Sequence, residues 1–141
     1  MTAAAWLPSA AEAETDFPLA NLPYGAFSAL GREARLGVAI GDQILDLRAA
    51  DAVGLLAGLP EALREACRQP VLNSLMEQDP ARLSQLRRRL TELLSASHES
   101  DRERTARALL PQAEATLQLP AAIGEYTDVY ASVHHATNVG K

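Results

Sequence analysis

Apolar residues follow two rhythms along this chain before giving way to a polar, tyrosine- and histidine-rich end. Arg35 to Ile40 (RLGVAI) and Gln43 to Leu47 (QILDL) are short aliphatic runs separated by Gly41-Asp42. That pattern predicts a hairpin with a two-residue loop of type II′, the glycine taking positive φ. A period of two puts Val38 and Ile40 on one face, while Ile44 and Asp46 share a face opposite that of Leu45 and Leu47. A lone hairpin is marginal in water, so it must join further strands or pack on a helix. Upstream, Phe17 to Ser28 (FPLANLPYGAFS) carries prolines, an Asn and a Gly, which favour an extended, turning path over a helix.

The rhythm lengthens from Pro60. Residues 60–66 (PEALREA) read as a helix with Pro60 in its first turn and Gln69-Pro70 as its stop. A longer helix is expected from about Pro80 to Ser97, capped by Asp79, because Leu83, Leu86, Leu90, Leu93 and Leu94 recur at helical spacing. That stripe faces a core and is too short for a coiled coil. Ser95 to Arg107 is polar and reads as an exposed loop with a short helix toward Leu109-Leu110, His98 lying at the surface. Thr116 to Leu119 alternates before Pro120 and reads as a closing strand. Residues 1–15 lack periodicity and are expected to be an irregular lead-in with Trp6 as its anchor.

Composition narrows the class. Hydrophobic residues make up 48% and charged residues 22% of 141 positions, which suits one globular domain filled by aliphatic side chains, since aromatics are only 4%. A net charge of -5 opposes a nucleic-acid partner. The basic run Arg87-Arg88-Arg89 sits within the long helix and reads as a solvated face. Cys67 is the sole cysteine, which excludes an internal disulfide and suits a reducing compartment, with the thiol packed in a helix. No apolar run reaches the roughly 18 residues needed to cross a bilayer, and the first residues lack a basic signal-peptide region. A cytoplasmic protein with no membrane partner is expected.

Candidate chemistry gathers in Ile123 to Gly140 (IGEYTDVYASVHHATNVG). Asp128 and Tyr130 are two apart, so an extended segment presents both on one face. His135 follows five residues after Tyr130, and a bend or strand-to-helix junction is needed to bring the two together. Ser132 can cap a helix that places His135 in its first turn, and a neutral imidazole there can take a proton from water. The neighbouring His134-His135 pair is rejected as a metal site because adjacent side chains diverge. Asp128 is the better ligand, and a hard carboxylate suits Ca2+ or Mg2+.

These residues resemble a known signature: TDVYASVHHATNVG is similar to the TDFYSSxxHATNVG of the fumarylacetoacetases. FPLANLPYGAFS, RLGVAIGDQILDL, LNSLM at Leu72 to Met76, and LPAAIGEYTD match that family's amino-terminal region in order, so the resemblance runs from about Asp16 to Gly140. It implies a mainly β fold with added helices: a small SH3-like β-barrel domain at 16–119, then at 120–141 the start of a larger catalytic domain that forms a homodimer. The implied activity is hydrolysis of the carbon-carbon bond of 4-fumarylacetoacetate to fumarate and acetoacetate in tyrosine and phenylalanine breakdown, with Ca2+ or Mg2+ bound.

By the same resemblance Asp128 is a metal ligand, Tyr130 contacts substrate, and His135 is the general base that deprotonates the attacking water. A downstream Glu and further carboxylates of the family have no counterpart here. Glu125 stands where the family has Asp, and Lys141 where it has an apolar residue; the latter suggests a truncated chain. The expectation is therefore an incomplete, inactive site, with residues after Pro120 mobile or packed on a neighbour. The alternative is a stand-alone SH3-like interaction module without catalysis.

Overall fold

The computed structural model describes residues 4–29 and 31–141. Its centre is a curled antiparallel sheet of five strands: β1 (Tyr24–Ala29), β2 (Arg35–Ile40), β3 (Gln43–Asp46), β4 (Leu109–Pro111) and β5 (Ala115–Gln118). Their order is β4-β3-β2-β1-β5. The hairpin forms as its sequence requires, Val38 pairing with Leu45 and Ile40 with Gln43 around a turn where Gly41 has φ +55°. A side chain at Gly41 has no room, since its Cβ would lie 2.6 Å from the amide nitrogen of Ala10 and 2.7 Å from the carbonyl carbon of Ser9. The extended reading of residues 17–28 holds, and its second half is β1.

Among the described residues, five α-helices accompany the sheet, α1 (Leu47–Ala52), α2 (Glu61–Cys67), α3 (Asn73–Met76), α4 (Pro80–Leu94) and α5 (Arg102–Arg107), and a sixth, α6 (Val133–Val139), follows it near the end of the chain. Helical residues outnumber strand residues, so the fold is mixed rather than mainly β. Asp79 caps α4 by accepting from the Ala81 amide at 2.7 Å, with Pro80 at the first position. The stripe Leu86, Leu90, Leu93 and Leu94 is fully buried. It packs in one core with Leu36, Val38, Ile40 and Leu45 from the sheet and Leu63, Ala66 and Cys67 from α2. Burial also pushes the Cys67 thiol up to about 12, which keeps it protonated and inert.

The opposite sheet face holds a smaller apolar contact. Phe27 and Ile44, both nearly buried, close over Gly37, where a Cβ would sit 2.5 Å from Ile44 Cγ2 and 2.8 Å from Phe27 Cε1. Glycine at 37 is thus required by space.

Several expectations are corrected. The third strand stops at Asp46, not Leu47, because the Asp46 carboxylate accepts from the Ala49 amide at 2.9 Å and caps α1. It also pairs with Arg35 at 2.8 Å. Helix α4 ends at Leu94 rather than near Ser97, since Ser95 turns extended and forms a bridge with Ala5. The lead-in is partly built into the body: Trp6 Nε1 donates to the Leu93 carbonyl at 3.1 Å, and Leu7 and Ala10 are buried. Residues 1–3 lie outside the described residues.

The arginine run is split by helix geometry, one position in three remaining a solvated face. Arg87 donates to the Leu22 carbonyl at 2.5 Å and stacks over Tyr24. Arg89 donates to the Leu55 carbonyl at 2.9 Å and pairs with Asp101 at 2.7 Å; Arg88 is exposed. His98 is half-buried rather than at the surface, its Nε2 lying 3.0 Å from Asp101. Among the described residues no helix is long and apolar enough to cross a membrane.

Candidate active site

After β5 the chain leaves the body. Three hydrogen bonds tie its first residues down: the Leu72 amide to the Pro120 carbonyl at 2.7 Å, Asn73 Nδ2 to the Ala122 carbonyl at 3.0 Å, and the Ala122 amide to Asn73 Oδ1 at 2.8 Å. Beyond them residues 123–131 carry no regular secondary structure, and α6 follows. The junction before α6 has a plain local cause. Ser132 is extended, with φ -132° and ψ 129°, and its carbonyl accepts the first helical bond from Ala136 at 3.0 Å. Its hydroxyl makes no capping hydrogen bond, contrary to the expected side-chain cap.

This bend into α6 does what the five-residue spacing demanded. The rings of Tyr130 and His135 come together with centroids 5.2 Å apart and planes tilted by 54°, within the range of favourable aromatic contact. His135 occupies the first turn of α6. Asp128 stands two residues before Tyr130 and, like His134 and His135, is exposed. No hydrogen bond or ion pair among the described residues joins Asp128 to either ring. Tyr130 is 55% exposed, so the phenol and imidazole face solvent with no wall around them.

The donor chemistry at Asp128 suits a hard cation, but one carboxylate is a single corner of a shell that calls for about six oxygens. No group of three or more His, Cys, Asp or Glu capable of holding a metal occurs among the described residues. The arrangement positions a proton acceptor beside a phenol and leaves the other ligands unsupplied.

The carboxylates bound most tightly to cations lie elsewhere, in the body, and were not singled out from the sequence. Asp51, 4% exposed, accepts from Arg64 Nε and Arg68 Nη1, each at 2.6 Å. Burial alone would raise its pKa, but the hydrogen bonds and charges of the two guanidinium groups outweigh that and hold it below the usual carboxylate range. Asp101 meets His98, Arg89 and Arg104 together, and hydrogen bonding from His98 first, then from the arginines, holds it far below that range. Both clusters join elements of the body: Asp51 links α1 to α2, and Asp101 links α4 to α5. Their only sequence signal was acids and arginines at i, i+3 and i+4 within α2 and α5.

A family model described as "Fumarylacetoacetase N-terminal" matches residues 20–120. The chain belongs to the fumarylacetoacetase N-terminal family. The match covers the sheet and the helices packed on it. Relatives extend the likeness: bovine fumarylacetoacetase is 48% identical over 132 residues, covering 90% of this chain and 31% of that protein. The human fumarylacetoacetase is 46% identical over 132 residues, with the same coverage, and that of Caenorhabditis elegans is 44% identical over 131 residues, covering 89% and 31%. The chain therefore spans about a third of the length of these relatives.

Proposed function

We propose that this chain is the amino-terminal part of a fumarylacetoacetase, a hydrolase that cleaves 4-fumarylacetoacetate to fumarate and acetoacetate. The single observation that carries this is identity of up to 48% with proteins of that name, over 132 residues, a length that extends beyond the matched 20–120 region. The domain division follows: residues 16–119 form the amino-terminal domain, a curled sheet of SH3-like barrel character, and residues 120–141 open the catalytic domain. In the complete protein, Ca2+ or Mg2+ would polarise the carbonyl under attack, with Asp128 one of the oxygen ligands.

The chain's own residues divide the remaining work. His135 takes a proton from the attacking water, and the hydrogen-bonding capacity of a phenol fits Tyr130 to the substrate's oxygen atoms. Their ring contact at 5.2 Å restrains both side chains, which is what an acid-base group needs for a defined geometry. Exposure of all three groups means that water is excluded only when the rest of the enzyme closes over them. The soluble partner is a small molecule, and the protein part completing the site belongs to the same polypeptide in a homodimer in the cytoplasm. Nothing in the comparisons favours a stand-alone interaction module.

The test uses two proteins: residues 1–141, and an extended polypeptide in which this chain is continued by the portion of bovine fumarylacetoacetase that follows the aligned residues. The extended polypeptide should hydrolyse fumarylacetoacetate in a manner abolished by a chelator and restored by Ca2+ or Mg2+. Residues 1–141 should show no turnover. An extended polypeptide that folds and binds metal yet leaves fumarylacetoacetate intact would refute the assignment.

A further inference from the structure

Between α3, α4 and the loop that follows α4 lies an open groove of about 940 Å³. Leu72, Leu75, Met76 and Leu83 form its apolar side, and Glu92 and His98 stand on its polar rim. Leu75 is buried and Leu72 and Leu83 rest partly on the core, whereas Met76 is 60% exposed. An apolar floor with a charged rim is the make-up of a protein interface. We infer that this groove seats polypeptide lying beyond the 132-residue aligned region in full-length relatives, an inference that rests on the fumarylacetoacetase reading above.

Three observations fix the occupant. The chain leaves the body at the groove's own edge, because Leu72, which lines the groove, donates its amide to the Pro120 carbonyl at 2.7 Å. Neighbouring Asn73 holds Ala122 on both sides, at 3.0 and 2.8 Å, so the segment from Ile123 onward departs from the groove's edge. Next, the departing segment is itself apolar and uncovered: Ile123 is 76%, Tyr126 90% and Val129 76% exposed. Met76 at the groove and the three tail residues thus all leave apolar surface uncovered, which marks an interface rather than a finished exterior. Finally, the aligned region is 31% of the bovine relative, so more than two thirds of such a protein lies outside it and can supply a segment to cover this surface.

A competing seat, the sheet face over Phe27 and Ile44, is poorer. Its cavity is about 210 Å³ and is bounded by Gln112 and Leu117. The tethering bonds of the tail lie on α3, at the other site.

Met76 reports directly on the groove, since it is one of only two methionines and the other is Met1. Peroxide converts an accessible thioether to its sulfoxide. Met76 sulfoxide formation, followed by mass spectrometry, should be about tenfold slower in the extended polypeptide than in residues 1–141. Met76→Glu should leave the melting temperature of residues 1–141 unchanged and lower that of the extended polypeptide. Equal oxidation rates, or an unchanged melting temperature of the extended Met76→Glu variant, would overturn the inference. Protection that appears in residues 1–141 as their concentration rises would assign the groove to a second copy and overturn it too. Hydrolysis of fumarylacetoacetate by the unmutated extended polypeptide is scored separately, so failure of the activity reading and failure of the groove are told apart.

Discussion

In α4, Leu86, Leu90, Leu93 and Leu94 are each 0% exposed, whereas in the tail Ile123, Tyr126 and Val129 expose 76%, 90% and 76% of their surface. Both regions place large apolar residues at short spacings, four, three and one apart in the helix and three apart in the tail. The difference lies in where the matching surface is. For α4 it is the sheet and α2 of the same unit; for the tail it is not among the described residues. Burial removes apolar surface from water at about 25 cal/mol per Å², so the leucines stabilise this unit and the tail residues are left to stabilise a larger assembly. The chemistry-bearing groups sit on the side of this comparison that contributes least to the fold of the body.

Removing a member of the buried stripe should have the largest effect on stability. Leu90→Ala should cost about 3 kcal/mol in urea unfolding of residues 1–141 through lost contact and a residual cavity; a cost below about 1 kcal/mol would mean that α4 is not packed as described. Gly37→Ala should cost about 2 kcal/mol, because the new methyl group meets Ile44 and Phe27 inside van der Waals contact. An Ile44→Ala background should recover part of that loss, and absence of any coupling between the two would contradict the contact.

The acid limb should be smaller and confined to a narrow window. Asp51 and Asp101 both have native pKa values lowered by their cationic partners. The unfolded chain therefore binds more protons than the native state below the ordinary aspartate value of about 3.9. Their contribution is present above that pH and is lost as the pH falls toward the lowered native values. Stability should be flat in this respect from pH 7 to about 5 and decline below about 4, with a shallower decline in Asp51→Asn and Asp101→Asn. Smallest of all, replacing Ile123, Tyr126 and Val129 together with Ser should change the stability of residues 1–141 by no more than about 0.5 kcal/mol, as followed by urea unfolding. A larger loss would show that the tail packs on the body.

Legibility in the sequence follows the same division. The hairpin was readable because a positive-φ glycine lies between alternating runs, and α4 because Asp79, Pro80 and the leucine spacing agree. What escaped the sequence depended on contacts between distant segments. Asp46 looks like one more strand residue until its carboxylate is seen holding the Ala49 amide and Arg35. Arg87 and Arg89 look solvated until Leu22, Tyr24, Leu55 and Asp101 are found beside them. At the candidate site, the approach of Tyr130 to His135 was foreseeable because the spacing required a bend and Ser132 is a residue that can begin a helix. The further ligands that the proposed cation calls for were not foreseeable, since chemistry that converges from elsewhere in a polypeptide leaves no local pattern.

The central claim, that the tail bears catalytic function while the body bears stability, is tested most directly by His135→Ala in the extended polypeptide, with turnover and melting temperature measured on the same sample. Loss of the proposed general base should lower kcat by about 10² to 10⁴ while the melting temperature stays within about 2 °C of the parent. Retention of full turnover by that variant would contradict the account.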